Sequence, residues 1–246
     1  MIAAIVPAHN EARHIARCLD ALLAAAQCPD LSGERVRLYV VADACTDATA
    51  QKATALGAQV LLTDARNVGM ARALGAQSAL GDGARWLAFT DADTQVAPDW
   101  FAQQLAQASD AVCGTVQVRD WRSWGVLQEH MRKHFSRTYF DVDGHRHIHG
   151  ANLGVSAAAY QRAGGFSALS SSEDVALVEA LQRTGARIAW SAAPRVVTSA
   201  RRQYRAPEGF GAALAEAAHQ AAHHGALAAC APALRKPATQ IGVVAP

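Results

Sequence analysis

The chain has 246 residues, 51% hydrophobic and 18% charged, which is ordinary for one soluble α/β domain with a sizeable core. Its 23 basic and 21 acidic residues leave a formal net charge of +2, arguing against a nucleic-acid binder, which needs a concentrated basic face. Cys18, Cys28, Cys45, Cys113 and Cys230 are odd in number and widely spaced, with no Cys-x-x-Cys, so neither a disulfide framework nor a cysteine zinc site is expected.

Residues 2–6 read as a short buried strand. The opening run is too short for a signal h-region and lacks a basic start. The strand leads into Pro7-Ala8-His9-Asn10-Glu11, where Asn10 is placed to cap a helix carrying Ile15, Leu19, Leu22 and Leu23 at helical spacing. A second strand over 38–41 precedes Asp-Ala-Cys-Thr-Asp, then a helix stopped at Gly57. A third strand spans 59–62 and a helix runs from about Asn67 to Ala79. The fourth strand, 86–90, ends on Asp91 and Asp93, and a helix covers 98–108.

Residues 112–118 look like a further strand, and 123–139 like an amphipathic helix with Trp124, Leu127, Met131, Phe135 and Tyr139 on one side. Small and apolar residues alternate over 149–156, before a short helix ending at Gly164-Gly165. A helix from Glu173 to Thr184 stops at Gly185, short strands follow at about 187–190 and 195–198, and an Ala-rich helix runs beyond Pro207 to about Ala229. Residues 231–246 read as a loose tail. No apolar stretch approaches the ~20 residues of a membrane helix. A cytoplasmic protein is expected, with peripheral membrane contact left open.

Strand–helix alternation over the first 110 residues implies βαβ units and a parallel sheet with helices on both faces. Right-handed crossovers gather the strand C-terminal ends on one edge, where ligands of open α/β sheets bind. The polar clusters fall at those ends: 7–11 after strand one, Asp43 after strand two, Asp91 and Asp93 after strand four. Residues i and i+2 of an extended chain share a face. Two carboxylates placed so repel unless a cation or hydrogen-bond donors join them. A hard divalent ion shared with substrate phosphates suits the place, while an Asp-rich turn before the next helix is the plainer alternative.

Neither a Gly-x-x-x-x-Gly-Lys-Ser/Thr loop nor a Gly-x-Gly-x-x-Gly after strand one is present. Instead, Val-Pro-Ala-His-Asn-Glu, Asp-Ala-Cys-Thr-Asp and Thr-Asp-Ala-Asp-Thr occur in order. The set also includes Asn67-Val68-Gly69-Met70-Ala71-Arg72, between the second and third of these, and Gly150-Ala151-Asn152, Gly164-Gly165-Phe166 and Glu173-Asp174 after them. Over about residues 1–200 this set resembles the family-2 glycosyltransferases, which have the GT-A fold.

The resemblance implies a GT-A-like, mostly parallel sheet flanked by helices. A Rossmann-like nucleotide-sugar half (1–110) would adjoin an acceptor half (111–205), with an Ala-rich helix and tail after them (206–246). It places Pro7, Ala8, Asn10, Glu11, Asp43, Asn67, Arg72, Asp91 and Asp93 on the donor side. Asp43 would accept from the base, although the second acid usual before it is Ala42 here. Asp91 would lie at the ribose, Asp93 would hold Mg2+ or Mn2+ at the diphosphate, and Arg72 would lie near base or phosphates. Asp174 would be the general base, with His149, Gly150, Ala151, Asn152 and Glu173 on the acceptor side.

Several of these residues have plainer readings. Asp43 could be a turn residue, Arg72 a solvated helix arginine, and Ser171-x-x-Asp174 a capping box. Arg201-Arg202, beside Arg195 and Arg205, could clamp a phosphate or form an exposed basic loop. His145, His147 and His149 alternate as zinc ligands would, but lack a cysteine or carboxylate partner, so a polar strand or loop is the better reading.

The implied activity is metal-dependent, inverting transfer of a sugar from a nucleotide-diphosphate sugar, UDP favoured, to a hydroxyl acceptor. The alternatives are a retaining GT-A enzyme acting on a small phosphorylated acceptor and a non-catalytic sugar-nucleotide-binding protein. A sugar nucleotidyltransferase would open on a Gly-rich, Arg-containing loop, which Pro7–Glu11 is not.

Overall fold

A strand inside a parallel sheet is covered on both faces and needs an unbroken apolar run. β1 (Ile2–Ala8) has one: all its residues but Pro7 are buried. The computed structural model describes residues 1–169, 171–202 and 210–229, without the side chains of 220–229. After β1 come α1 (Ile15–Ala25), β2 (Val36–Asp43), α2 (Thr49–Ala55), β3 (Gln59–Thr63), α3 (Val68–Gly81) and β4 (Trp86–Phe89). β5 (Gln95–Val96), α4 (Trp100–Ala106), β6 (Ala111–Gly114) and β7 (Gln117–Val118) follow. A 3-10 turn (Arg122–Leu127) then leads to α5 (Gln128–Thr138), β8 (Leu153–Ser156), α6 (Ala157–Arg162) and α7 (Glu173–Arg183). β9 (Ile188–Ser191), β10 (Val196–Thr198) and α8 (Phe210–Ala229) complete the described chain.

The main sheet has seven strands in the order β3-β2-β1-β4-β8-β6-β9. Its pairs are parallel except those made by β8, which runs against both β4 and β6. This is the mostly parallel, helix-flanked sheet expected. Strand order reverses between β1 and β4, the kind of switch point at which open α/β sheets bind ligands. Because β8 is antiparallel and pairs Leu153 with Phe89, the residues before β8 lie beside those after β4. That register brings 150–152 next to 90–93.

Period-two alternation divides the sheet between two cores. Ile2, Ala4 and Val6 join Ile15, Leu19, Leu22 and Trp100 on one face. Ala3 and Ile5 join Tyr39, Phe89, Ala76, Leu177 and Leu181 on the other. A Cβ at Gly75 would stand 2.6 Å from Ile5 Cγ2, so glycine lets α3 lie directly on the strands. Trp121, Trp124, Met131, Leu214 and Ala218 form a separate cluster under α5 and α8. Among the described residues no helix is long and apolar enough to cross a membrane.

The structure corrects four local expectations. The strand expected over 112–118 is two strands in different sheets: β6 lies in the main sheet, while β7 pairs with β10 in a small sheet that also holds β5. The helix expected over 123–139 breaks at Gly125, whose φ of +54° is non-helical, so only Gln128–Thr138 is α-helix. Asn10 does not cap α1; His14 holds that position without a side-chain bond. The Asn10 Oδ1 instead accepts from the amides of Thr46 and Asp47 at 2.8 and 3.3 Å. Ser172, not Ser171, is at the α7 cap, with φ +58° and no side-chain cap bond. Asn67 does cap α3 as its position suggests, accepting from Met70 N at 2.9 Å. The expected tail at 231–246 and Arg205 lie outside the described residues.

Candidate active site

The site is built at the ends of β1, β2 and β4, closed by residues 149–152 and the first turn of α7. β1 carries Pro7 and Ala8 to the sheet edge. Cys45 Sγ donates to Ala8 O at 3.3 Å and accepts from Asn10 N at the same distance. His9 Nδ1 lies 2.7 Å from the Asp43 carbonyl oxygen and donates to it. These bonds join the loops after β1 and β2. Of six non-glycine residues with positive φ among the described residues, Asn10, Ala44, Arg66 and Ser172 flank this edge, and such backbone strain concentrates where geometry serves a site.

Asp43 is 5% exposed. Its Oδ1 accepts from Arg66 N at 2.7 Å and its Oδ2 from Asn67 N at 2.8 Å, so it organises the turn into α3. Each carboxylate oxygen retains a second acceptor position. The turn reading of Asp43 is therefore correct, and it leaves room for a further donor.

Arg72 is not the solvated helix arginine that was one reading of it. It is 4% exposed, and it lies on the stripe of Gly69, Gly75, Ala76 and Ala79 that α3 buries. Its Nη2 donates to Asp91 Oδ1 at 2.7 Å, and its Nη1 to Glu173 Oε1. The guanidinium carbon also stands 5.7 Å from the Phe166 ring centroid, a cation–π distance. Arg72 therefore joins the acid after β4 to the start of α7. Burial raises the Glu173 carboxyl above its ordinary range, opposed by the Arg72 charge.

Gly150 completes this centre. Its N–H donates to Asp174 Oδ2 at 2.7 Å, and a Cβ there would stand 2.3 Å from Arg72 Nη2. The guanidinium is held by both carboxylates and cannot retreat. Gly150→Ala is therefore expected to cost about 1–3 kcal/mol through overpacking, read as a lowered midpoint in chemical denaturation. A wild-type midpoint would show that the contact relaxes freely.

Asp91 has a side chain 37% exposed, whereas that of Asp93 is 8% exposed. Burial pushes the Asp93 carboxyl up to about 6 against the lowering effect of Arg201. Arg201 Nη2 stands 3.3 Å from Asp93 Oδ2, and its Nη1 donates to Glu11 Oε1 at 2.6 Å. Arg202 is elsewhere, 5.6 Å from the Trp124 ring centroid, so the two arginines do not form the pair expected from their adjacency. Asp91 and Asp93 are hard oxygen donors drawn to a cation, and one or two such carboxylates with substrate phosphates suit Mg2+ or Mn2+. The residues fit that ion.

Asn152 has a different role from the acceptor-side one expected. It is 1% exposed, accepts from Trp100 Nε1, and donates to the carbonyls of Thr115 and Pro194, each at 2.8 Å. Its amide is thus used in joining β6, α4 and the turn before β10. Ala151 is buried, with its carbonyl accepting from Thr90 Oγ1 at 2.9 Å.

The three histidines do not converge on an ion. His147 stacks on Tyr139 with centroids 4.1 Å apart, and His145 and His149 lie 5.5 and 6.0 Å from His147. Among the described residues no group of three His, Cys, Asp or Glu side chains could hold a metal alone. Tyr139 was read only as part of an apolar stripe. Its hydroxyl accepts from Val116 N at 2.8 Å and lies 3.0 Å from His149 Nε2, within hydrogen-bond distance. Burial pushes His149 down to about 4, which makes it an uncharged ring at neutral pH. No local pattern marks the Tyr139–His149 pair, which are on different elements.

The sequence pattern described as Glycosyl transferase family 2 matches residues 3–164. The fold is similar to that of S. aureus TarS, at TM-score 0.61 and 20% identity, covering 80% of this chain and 36% of that one. It is similar to S. aureus TarS 1-349 in complex with UDP-GlcNAc, at TM-score 0.61 and 19% identity, covering 85% and 61%. Glucosyl-3-phosphoglycerate synthase from Mycobacterium tuberculosis, in complex with Mn2+, UDP and glucosyl-3-phosphoglycerate, gives TM-score 0.52 and 18% identity, covering 83% and 72%. The chain thus spans about a third of the longer TarS chain and about three-fifths of its 1–349 piece. No curated protein matches it.

Proposed function

The chain belongs to glycosyl transferase family 2, and on that premise we propose that it moves a hexose-type sugar from a nucleotide-diphosphate donor to a hydroxyl acceptor with inversion. One observation carries this reading. Arg72 bonds both Asp91 and Glu173, while Gly150 N–H holds Asp174, the next residue after Glu173, so the donor-side Asp91 and the candidate base meet at the start of α7.

Asp43 would accept from the base, and Asp91 would lie at the ribose. UDP is the favoured nucleotide because a pyrimidine N3–H suits an acceptor such as Asp43. The UDP and UDP-GlcNAc complexes of similar folds support it. Asp93, with Asp91 beside it, would hold Mg2+ or Mn2+; the Mn2+ complex of the M. tuberculosis enzyme supports that choice. When bound, the ion supplies a positive charge that offsets negative charge on the departing diphosphate. Asp174 takes the proton of the acceptor hydroxyl as that oxygen attacks the anomeric carbon. The bond from Gly150 N–H fixes its carboxylate, and a base held in one position supports in-line attack on a bound donor.

Titration calorimetry with UDP, GDP and thymidine diphosphate, each with Mn2+ or Mg2+, tests the donor side. Wild type is expected to bind UDP most tightly and only with the metal. Asp93→Ala should lose the metal-dependent binding while folding normally, and Asp93→Asn should be nearly as damaging because charge matters more than shape. Full metal-dependent affinity in either variant would remove the assignment of Asp93, and clearly tighter GDP binding would overturn the choice of UDP.

A further inference from the structure

Asp93 already has a cation beside it that comes from the far end of the chain. Arg201 follows β10, which pairs with β5 just after Asp93, and it contacts Glu11 and Asp93, whose side chains are 4% and 8% exposed. Its own side chain is 33% exposed. Its backbone is anchored just upstream, where the Ala200 carbonyl accepts from Ser123 Oγ and Trp124 Nε1 at 2.9 and 2.7 Å. Asp91 is meanwhile engaged by Arg72 on its Oδ1.

We propose that Arg201 and a divalent cation compete for the Asp93 carboxylate, and that the nucleotide diphosphate relieves the competition by taking the guanidinium onto its own oxygens. The proposal rests on the reading of Asp93 as the metal ligand given above. A guanidinium 3.3 Å from Asp93 Oδ2 and a divalent ion on the same small carboxylate, whose side chain is only 8% exposed, would repel strongly at such short range. A diphosphate supplies enough negative charge for both, and arginine matches phosphate oxygens with paired donors. The metal then binds together with the nucleotide and poorly by itself. Glu11 keeps Arg201 beside Asp93, within reach of the diphosphate.

Mn2+ binding without nucleotide, followed by loss of the free-ion signal in electron paramagnetic resonance, tests this apart from turnover. Arg201→Gln and Arg201→Met should each bind Mn2+ about tenfold or more tighter than wild type, because a like charge has been taken from the ligand. Arg201→Lys should stay near wild type, and the gain should vanish in the Arg201→Gln/Asp93→Asn double variant. With UDP present the order reverses: the neutral variants should bind UDP–Mn2+ more weakly than wild type. Unchanged Mn2+ affinity in both neutral variants, or a gain that survives Asp93→Asn, overturns the competition. If Asp93→Asn alone leaves UDP-dependent Mn2+ binding intact, the metal reading beneath it fails as well, and the two failures are told apart.

Discussion

Asp174→Asn is expected to bind UDP and metal nearly as wild type does while sugar transfer falls by about 10²–10⁴-fold, the usual range for loss of a general base. The substitution keeps the shape of the side chain and an oxygen that can accept the 2.7 Å bond from Gly150 N, so the loop before β8 should remain in place. Only the ability to take a proton is removed. Single-turnover transfer measured beside calorimetric donor affinity separates the two effects. A loss below tenfold, or an equal loss of donor affinity, would take the base role from Asp174.

Glu173 distinguishes this expectation from a general sensitivity of the α7 start. Either acid of the pair could be the base from sequence, depending on where the helix begins. In the fold, Glu173 is 4% exposed and turned to Arg72, while Asp174 is only partly buried and bonded to Gly150. Glu173→Gln should therefore show itself first in stability, and Asp174→Asn in turnover. Product stereochemistry, read by NMR against the donor anomer, checks the rest: an α-linked product from an α-linked donor means retention, and Asp174 then has another role.

Much of the first 110 residues could be read from sequence because each element announces itself locally. β1 and the 38–42 stretch of β2 are unbroken apolar runs, Asn67 caps α3 from the expected place, and Gly57 and Gly185 end helices with φ of +81° and +74°. The polar clusters at successive strand ends in the sequence place Asp43, Asp91 and Asp93 on one edge of the sheet. Features that depend on distant partners were not legible. Nothing in Thr115-Val116 shows that the chain leaves one sheet for another there. The partner of Glu11 and Asp93 lies some 190 residues beyond Glu11 in Arg201. Asn152 sits in a motif that suggested acceptor binding, and its amide is spent on Trp100 and two carbonyls. The buried setting of Arg72 did leave a trace: Gly69, Gly75, Ala76 and Ala79 around it recur at helical spacing, and a small-residue face of this kind is one that packs closely.

Arg72→Met should produce the largest loss of stability of any single change in the site. The variant leaves Asp91 and Glu173 facing each other without the cation that joins them. Breaking a buried ion pair from one side typically costs about 3–5 kcal/mol, or about 6–20 °C in Tm for a domain of this size. The sign of the pH dependence follows from Glu173. Its carboxyl is raised in wild type chiefly by burial, with Arg72 opposing, so without Arg72 it rises further. A carboxyl raised in the folded state binds more protons folded than unfolded, and stability then falls as pH rises through that interval. The deficit of Arg72→Met against wild type should therefore be greatest at pH about 7.5 and shrink toward pH about 5, nearer the ordinary Glu value of about 4.3. Calorimetric melting of both proteins at the two pH values measures it. Arg72→Lys should fall between them, because one ammonium cannot reproduce the forked contact with two carboxylates. A variant that melts within about 2 °C of wild type, or whose deficit grows on acidification, would mean that Arg72 does not hold the two halves of the site together.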